Sequence, residues 1–209
     1  MMGNVSSPLV KAIEQTWSAI QRRHGDVPEV VVTLASGTSP RGMKLGHFAA
    51  DRWVRGEAAI HELFIGGEGL ARGGVGTLGT LVHEAAHAAA AARGIQDTSR
   101  QGRYHNKRFK EIAESFGLAL EHDPSIGWST TTVPDATAAR YAAEIRRLDA
   151  AITAHRRAEI IGGGGRAKTN NGKAAVCSCG RKIRASLAVL DAGPILCGIC
   201  GDEFEAEAA

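Results

Sequence analysis

Two histidines flanking a glutamate, His83-Glu84-Ala85-Ala86-His87, sit in a stretch that must be buried. From about Gly76 to Arg93 the sequence reads as a helix, with Leu78, Leu81, Val82 and Ala85 on an apolar face and an alanine-rich second half. Gly94, after Arg93, suits the C′ position that ends it. Such a helix packs deep, and polar groups it carries there need partners. Residues four apart lie one turn apart on the same face, so the two imidazoles stand side by side. The small Ala85, Ala86, Ala88 and Ala89 leave room for a neighbouring helix to approach.

Two imidazoles so placed can bind one Zn²⁺, at about 2.0–2.1 Å. Glu84 lies beside them, placed to take a proton from a water whose pKa the metal lowers toward about 7. For that reason His-Glu-x-x-His on a helix is a metallopeptidase signature. A chance match on an exposed helix is the bland alternative, and the apolar face argues against it. A catalytic zinc needs a third protein ligand and keeps a fourth position for water. His105, in Arg103-Tyr104-His105-Asn106-Lys107-Arg108-Phe109-Lys110, is expected at the start of the next helix, where it can close the site. His24, His47, His122 and His155 read as surface or local structure. His61 is a weaker candidate for the active-site wall. Tyr104, Arg103 and His61 are candidates to stabilise an oxyanion.

Around this helix, Pro8 to Arg23 has the apolar spacing of an amphipathic helix, through Leu9, Ala12, Ile13, Trp17 and Ile20. Val30–Leu34, Phe48–Val54 and Ala59–Ile65 read as strands that pair into one small sheet, with a turn-rich stretch from Ser36 to Gly46. Ile95 to Arg103 reads as a loop, Asn106 to Phe116 as a helix, Asp123 to Pro134 as a loop and Ala136 to Ile160 as one long helix. Gly162 to Gly165 breaks the pattern, and the polar stretch after it reads as a linker. The expected domains are 1–161, catalytic; 162–175, a Gly-rich basic linker; and 176–209, a cysteine module with an acidic, frayed tail.

In that module Cys177-Ser178-Cys179 and Cys197-Gly198-Ile199-Cys200 form two close pairs, each with glycine nearby. Four thiolates at this spacing suit a tetrahedral structural Zn²⁺, although the first pair has one intervening residue instead of two. So small a unit lacks the core to fold without a metal staple. Lys182–Arg184 and Leu187–Leu190 are expected to supply short strands. Arg166, Lys168, Lys173, Arg181, Lys182 and Arg184 flank the unit with no acid among them. A basic linker joined to a zinc ribbon can sit on nucleic-acid phosphates; solvated linker charge is the alternative, and the residues leave both open.

Composition constrains the rest. The 209 residues carry a net charge of +3, which permits nucleic-acid contact without demanding it. No apolar run is long enough to span a membrane, so no membrane partner is expected. The N-terminal residues lack the pattern of a signal peptide, which predicts the cytoplasm, where thiols stay reduced and four cysteines read as metal ligands.

Taken in order, His83-Glu84-Ala85-Ala86-His87, then Tyr104-His105-Asn106-Lys107-Arg108-Phe109, then the cysteine pairs, the chain resembles the SprT-like family, which includes the bacterial SprT proteins and the catalytic domain of Spartan, a protease acting on proteins crosslinked to DNA. The resemblance is close over about residues 55 to 120 and covers the cysteine unit in outline. It implies an α+β fold: a small zincin-like helix-and-sheet metallopeptidase domain followed by a zinc-ribbon-like module. It implies one catalytic zinc on His83, His87 and His105, with Glu84 as acid/base, and one structural zinc on Cys177, Cys179, Cys197 and Cys200. Its substrates would be proteins, with DNA as a partner through the basic linker and ribbon. Two rivals remain. One is a non-catalytic DNA-binding or adaptor protein with structural zinc in both sites. The other is a repressor-cleaving peptidase of the ImmA type, whose third ligand resembles an acidic residue on a later helix; His105 with Asn106 argues against it.

Overall fold

The first amphipathic segment of the chain forms one layer of its core. In a computed structural model that describes residues 4–39, 42–159 and 172–206, helix α1 (Ser6–Arg23) turns Leu9, Ile13, Trp17 and Ile20 inward, and Trp17 Nε1 donates to Pro28 O at 3.0 Å. The chain separates into two units, 1–161 and 162–209. It is mixed α and β, with several small sheets beside the helices. Among the described residues no helix is long and apolar enough to cross a membrane.

In the first unit, β1 (Val30–Ala35) leads into a two-stranded ribbon, β2 (Thr38–Ser39) with β3 (Gly42–Met43), and then a hairpin, β4 (Gly46–Arg55) with β5 (Ala58–Gly66). The sheet order is β1-β5-β4, with β1 parallel and β4 antiparallel to β5, so β4 is an edge strand. A 3₁₀ turn, Gly67–Arg72, delivers the chain to α2 (Gly73–Ala92), which carries the two histidines. Leu78, Leu81, Val82, Ala85 and Ala86 are fully buried, and α2 packs against α1 and β4. Its start has no side-chain cap of its own; the Gly74 N–H donates to Asp149 Oδ1 at 2.5 Å. Its end closes as a Schellman motif, with Gly94 at φ 65°, Gly94 N–H on Ala91 O and Ile95 N–H on Ala90 O.

After α2 the structure departs from expectation. The predicted loop Ile95–Arg103 holds β6 (Thr98–Ser99), which pairs with β7 (Tyr104–His105); His105 is therefore on a strand, and α3 (Lys107–Ser115) starts after its N-cap Asn106. The predicted loop Asp123–Pro134 is largely strand: β8 (Ala119–Asp123) and β9 (Gly127–Thr132) complete a sheet of order β6-β7-β9-β8. The β-branched run Thr130-Thr131-Thr132-Val133 is the local cause. The predicted single helix 136–160 is two, α4 (Asp135–Arg140) and α5 (Ala142–Ala151), broken at Tyr141. That ring is fully buried under the Arg23 guanidinium, 4.5 Å from its centroid, and this packing outweighs helical propensity. From Ile152 to Glu159 the chain is irregular and returns to the 3₁₀ turn, where Arg156 N–H donates to Gly67 O at 3.0 Å.

In the second unit β10 (Lys173–Val176) lies between β11 (Lys182–Ala185) and β12 (Glu205–Ala206), over a small core of Ala175, Cys177, Cys197 and Phe204. Three expectations change here. β10 begins inside the stretch read as linker. Leu187–Leu190 is not a strand but lies in α6 (Leu187–Asp191), whose N-cap Ser186 accepts from Val189 N–H at 3.3 Å. The acidic tail is ordered through Glu205 and Ala206, because Phe204 is buried and β12 pairs with β10. The glycine-rich linker core, with Arg166 and Lys168, and the last three residues lie outside the described residues.

Candidate metal centre

His83, His87 and His105 meet on one side of α2. Their ring centroids form a near-equilateral triangle, 5.0 Å between His83 and His87, 5.1 Å between His83 and His105 and 5.0 Å between His87 and His105. One ligating nitrogen from each lies within 4.8 Å of the others, so the group could hold a metal ion. Two of the rings are oriented from behind. His87 Nδ1 meets Asp97 Oδ2 at 2.5 Å, and His83 Nδ1 meets Thr131 Oγ1 at 3.3 Å. Those contacts leave the Nε2 atoms of both rings for a shared ion. His87 Nε2 and His105 Nε2 are 3.1 Å apart. Two imidazole lone pairs that close need a proton or a cation between them, and the donor set fits a metal.

A hairpin places the third ring. The β6–β7 turn joins Asp97, behind His87, to His105, and Asn106 locks both ends. Its main-chain N–H donates to Asp97 O at 3.0 Å, its Nδ2 to Gln96 O at 2.9 Å, and its Oδ1 caps α3 by accepting from Arg108 and Phe109 N–H. Beside the hairpin, His105 N–H donates to Ile126 O at 3.0 Å. Gly127, at φ 73°, lets β9 come this close, since a Cβ there would lie 2.1 Å from His105 O. Beneath the three rings lies Phe109, fully buried, its centroid 4.7, 4.4 and 4.6 Å from those of His83, His87 and His105.

The electrostatics favour the neutral form of two of the three rings. Burial and the neighbouring His87 and His105 hold His83 well below the ordinary histidine range. Burial and His87 pull His105 down to about 4. Burial pulls His87 the same way, but the Asp97 hydrogen bond and the charges of Glu84 and Asp97 outweigh it and leave its pKa raised. Glu84 is buried beside them and accepts from Phe48 N–H, on the edge strand β4, through Oε2 at 2.8 Å. Burial raises its carboxyl pKa, against the opposing pull of His87 and the Phe48 amide.

The centre opens into a cleft of about 1340 Å³, walled by α2, the start of β4, the β6–β7 hairpin and β9. None of the three residues considered for an oxyanion lines it. Tyr104 Oη meets His122 Nε2 at 3.1 Å, Arg103 Nε donates to Arg100 O, and His61 Nδ1 accepts from Asp51 N–H. His61 therefore forms no part of the wall. His47, taken from sequence as local structure, does line the cleft, with Nε2 at 3.2 Å from Glu62. Sequence reasoning missed Asp97, Thr131, the Phe48 amide and Phe109. Only Phe109 had a local signal, lying within the segment that follows His105.

In the second unit Cys177, Cys179, Cys197 and Cys200 converge and could hold a metal ion. The sulfurs of Cys177 and Cys179 are 2.9 Å apart, Cys179 and Cys197 3.7 Å, and Cys177 and Cys200 3.9 Å. Each pair sits on a tight turn, Gly180 N–H donating to Cys177 O at 2.9 Å and Gly201 N–H to Cys197 O at 2.8 Å. Backbone amides of Cys200 and Ile199 draw Cys197 down to about 6, while its neighbour Cys177 pushes Cys179 up to about 12. Four sulfurs packed so closely cannot all ionise without a cation, which is the environment a bound metal completes. Arg181 Nη1 lies 3.6 Å from Cys197 Sγ and adds positive charge there. Compared with protein-family models, curated proteins and solved structures, the chain matches none.

Proposed function

We propose that this chain is a zinc-dependent endopeptidase of the SprT-like type, with a zincin-like catalytic unit and a zinc-ribbon-like second unit. One observation carries the proposal: a three-histidine centre, two rings from α2 and one from β7, and a buried glutamate, set in an open cleft beside the edge strand β4. His83, His87 and His105 would hold the catalytic zinc, and the four cysteines a structural one. Zinc bound by three histidines polarises a carbonyl and makes water a stronger acid at neutral pH.

The chain's own residues do the rest. Asp97 and Thr131 hold two of the imidazoles in the orientation that offers Nε2. The Phe48 amide pins one oxygen of Glu84, leaving Oε1 to take a proton from the attacking water and pass it to the leaving amine. A carboxyl raised by burial suits that shuttle, because its affinity for the proton lies nearer neutrality. The β4 edge can pair with an extended substrate backbone along the cleft. The described cations of the second unit, Lys173, Arg181, Lys182 and Arg184, support DNA as a partner that brings the enzyme to protein substrates.

Zinc-loaded protein and its Glu84→Gln variant are compared on a denatured protein and on a protein crosslinked to DNA. The variant should retain zinc and lose about 10²–10⁴-fold in cleavage rate. Equal cleavage by the two would overturn the peptidase and favour a non-catalytic zinc protein.

A further inference from the structure

The cleft carries more positive charge than its chemistry uses. Lys44, Arg52 and Arg72 line it, and none forms an ion pair among the described residues. Its two carboxylates are engaged, Glu84 by the Phe48 amide and Asp97 by His87. Of the three cations, Arg72 is the one the fold holds in place. Its Nη2 donates to Thr80 Oγ1 at 2.6 Å and its Nε to Gly69 O at 3.3 Å. Thr80 Oγ1 in turn donates to Gly76 O at 3.3 Å, which leaves its lone pairs for the guanidinium. Gly76 makes room for this arrangement, because a Cβ there would lie 2.3 Å from Arg72 Cβ.

Capping of α2 does not explain the residue. Arg72 occupies the N-cap position of α2, makes no side-chain cap and brings a positive charge to the positive end of the helix dipole. Both groups that hold it are neutral. A guanidinium has five N–H donors in a planar fork, and these two contacts use two of them, which leaves three for a carboxylate. Position gives the register. Thr80 precedes Glu84 by one helical turn, about 6 Å along the axis. An extended peptide advances about 3.3 Å per residue. A chain bound along the α2 axis would therefore carry the guanidinium about two residues from a bond cut beside Glu84.

We propose that Arg72, held on Thr80, is the carboxylate-binding subsite of this cleft and selects peptides with Asp or Glu about two residues from the cleaved bond. Lys44 and Arg52 add attraction for acidic segments without fixing the position. The proposal rests on the peptidase reading for the word cleaved; the subsite itself stands on binding.

The test uses the full chain, zinc-loaded and carrying Glu84→Gln so that nothing turns over. Labelled, capped octapeptides identical except for one central Glu, Gln or Lys are titrated by fluorescence anisotropy. The Glu peptide should bind about tenfold tighter than the Gln peptide, as expected for charge-assisted hydrogen bonds. Adding Arg72→Gln should bring that ratio close to one, and adding Arg72→Glu should turn the preference to the Lys peptide. Equal binding of the Glu and Gln peptides, a preference that survives both Arg72 variants, or no measurable binding of any peptide overturns the subsite. Wild-type protein is then given the same peptides. Tight, Arg72-dependent binding with no cleavage would sink the peptidase reading and leave the subsite standing.

Discussion

Asp97 gives the sharpest perturbation of the candidate metal centre, because its carboxylate and its main chain do separate work. The carboxylate meets His87 Nδ1 at 2.5 Å, with both side chains mostly shielded from solvent. The main-chain carbonyl receives Asn106 N–H at 3.0 Å and holds the hairpin that carries His105. A substitution at Asp97 removes the first contact and spares the second. Losing the acceptor behind a ligating histidine typically weakens metal binding by about 10–100-fold, or about 1.4–2.7 kcal/mol. Asp97→Asn keeps the shape and a neutral acceptor, so it should sit near the tenfold end; Asp97→Ala leaves His87 free to rotate and should reach about a hundredfold. Zinc-free protein is titrated against a chromophoric chelator, which resolves the two sites. Only the histidine site should shift, and the circular dichroism spectrum should stay that of the parent. An Asp97→Ala protein that is folded and binds zinc there as tightly as the parent would refute the idea that Asp97 orients His87.

Two further perturbations test how the cleft is held. Gly46→Ala would set a Cβ 2.6 Å from Thr80 Cγ2 and 3.1 Å from Glu84 Oε1; either the strand or these two side chains must shift, which disturbs the contact between Glu84 and the Phe48 amide, so the proposed peptide cleavage should fall at least tenfold with a destabilisation of about 1–3 kcal/mol, read from turnover and urea unfolding. Glu68, buried under the β1–β2 turn, is pushed up by burial but held down to about 2 by the Thr38 hydroxyl, the Gly37 amide and the Ser36 hydroxyl. Since its folded pKa lies below the ordinary carboxyl value of 4.5, its contribution is complete above that pH and fades as the pH falls toward 2. Glu68→Gln should therefore cost on the order of 3 kcal/mol at pH 7 and progressively less below pH 4.5, and a gap that stays constant down to pH 3 would count against the assignment.

The parts of the site that were legible in sequence are those set by local geometry. His83, Glu84 and His87 share a face because a helix repeats every 3.6 residues, and the cysteines pair because each turn brings near neighbours together. His105 was legible only by need, since two imidazoles call for a third ligand. What escaped reading depends on distant chain. Asp97 and Thr131 reach the rings through the hairpin and β9, and the Phe48 amide reaches Glu84 across 36 residues of sequence. The break at Tyr141 was hidden because every residue from Asp135 to Ala151 tolerates a helix, and the ring's burial under Arg23 decides the matter. Leu187–Leu190 misled for the opposite reason: a β-like apolar run is overruled by a local cap at Ser186.

The long-range character of these contacts has an energetic consequence. Four polar groups of α2 take their partners from other elements: the Phe48 amide of β4 for Glu84, Thr131 of β9 for His83, the hairpin's Asp97 for His87 and, for the Gly74 N–H at the helix start, Asp149 of α5. A buried polar group without its partner costs about 1–3 kcal/mol, so removing any one of these elements penalises the helix as well as the site. The unfolded chain has no such arrangement, and the three imidazoles come together only when two sheets and α5 are docked on α2. Metal affinity at this centre would then be folding free energy for the whole first unit. The same dependence explains why His105, on a two-residue strand, can serve as a ligand: Asn106, Gly127 and Phe109 fix it from three sides, and a bound metal would close the fourth.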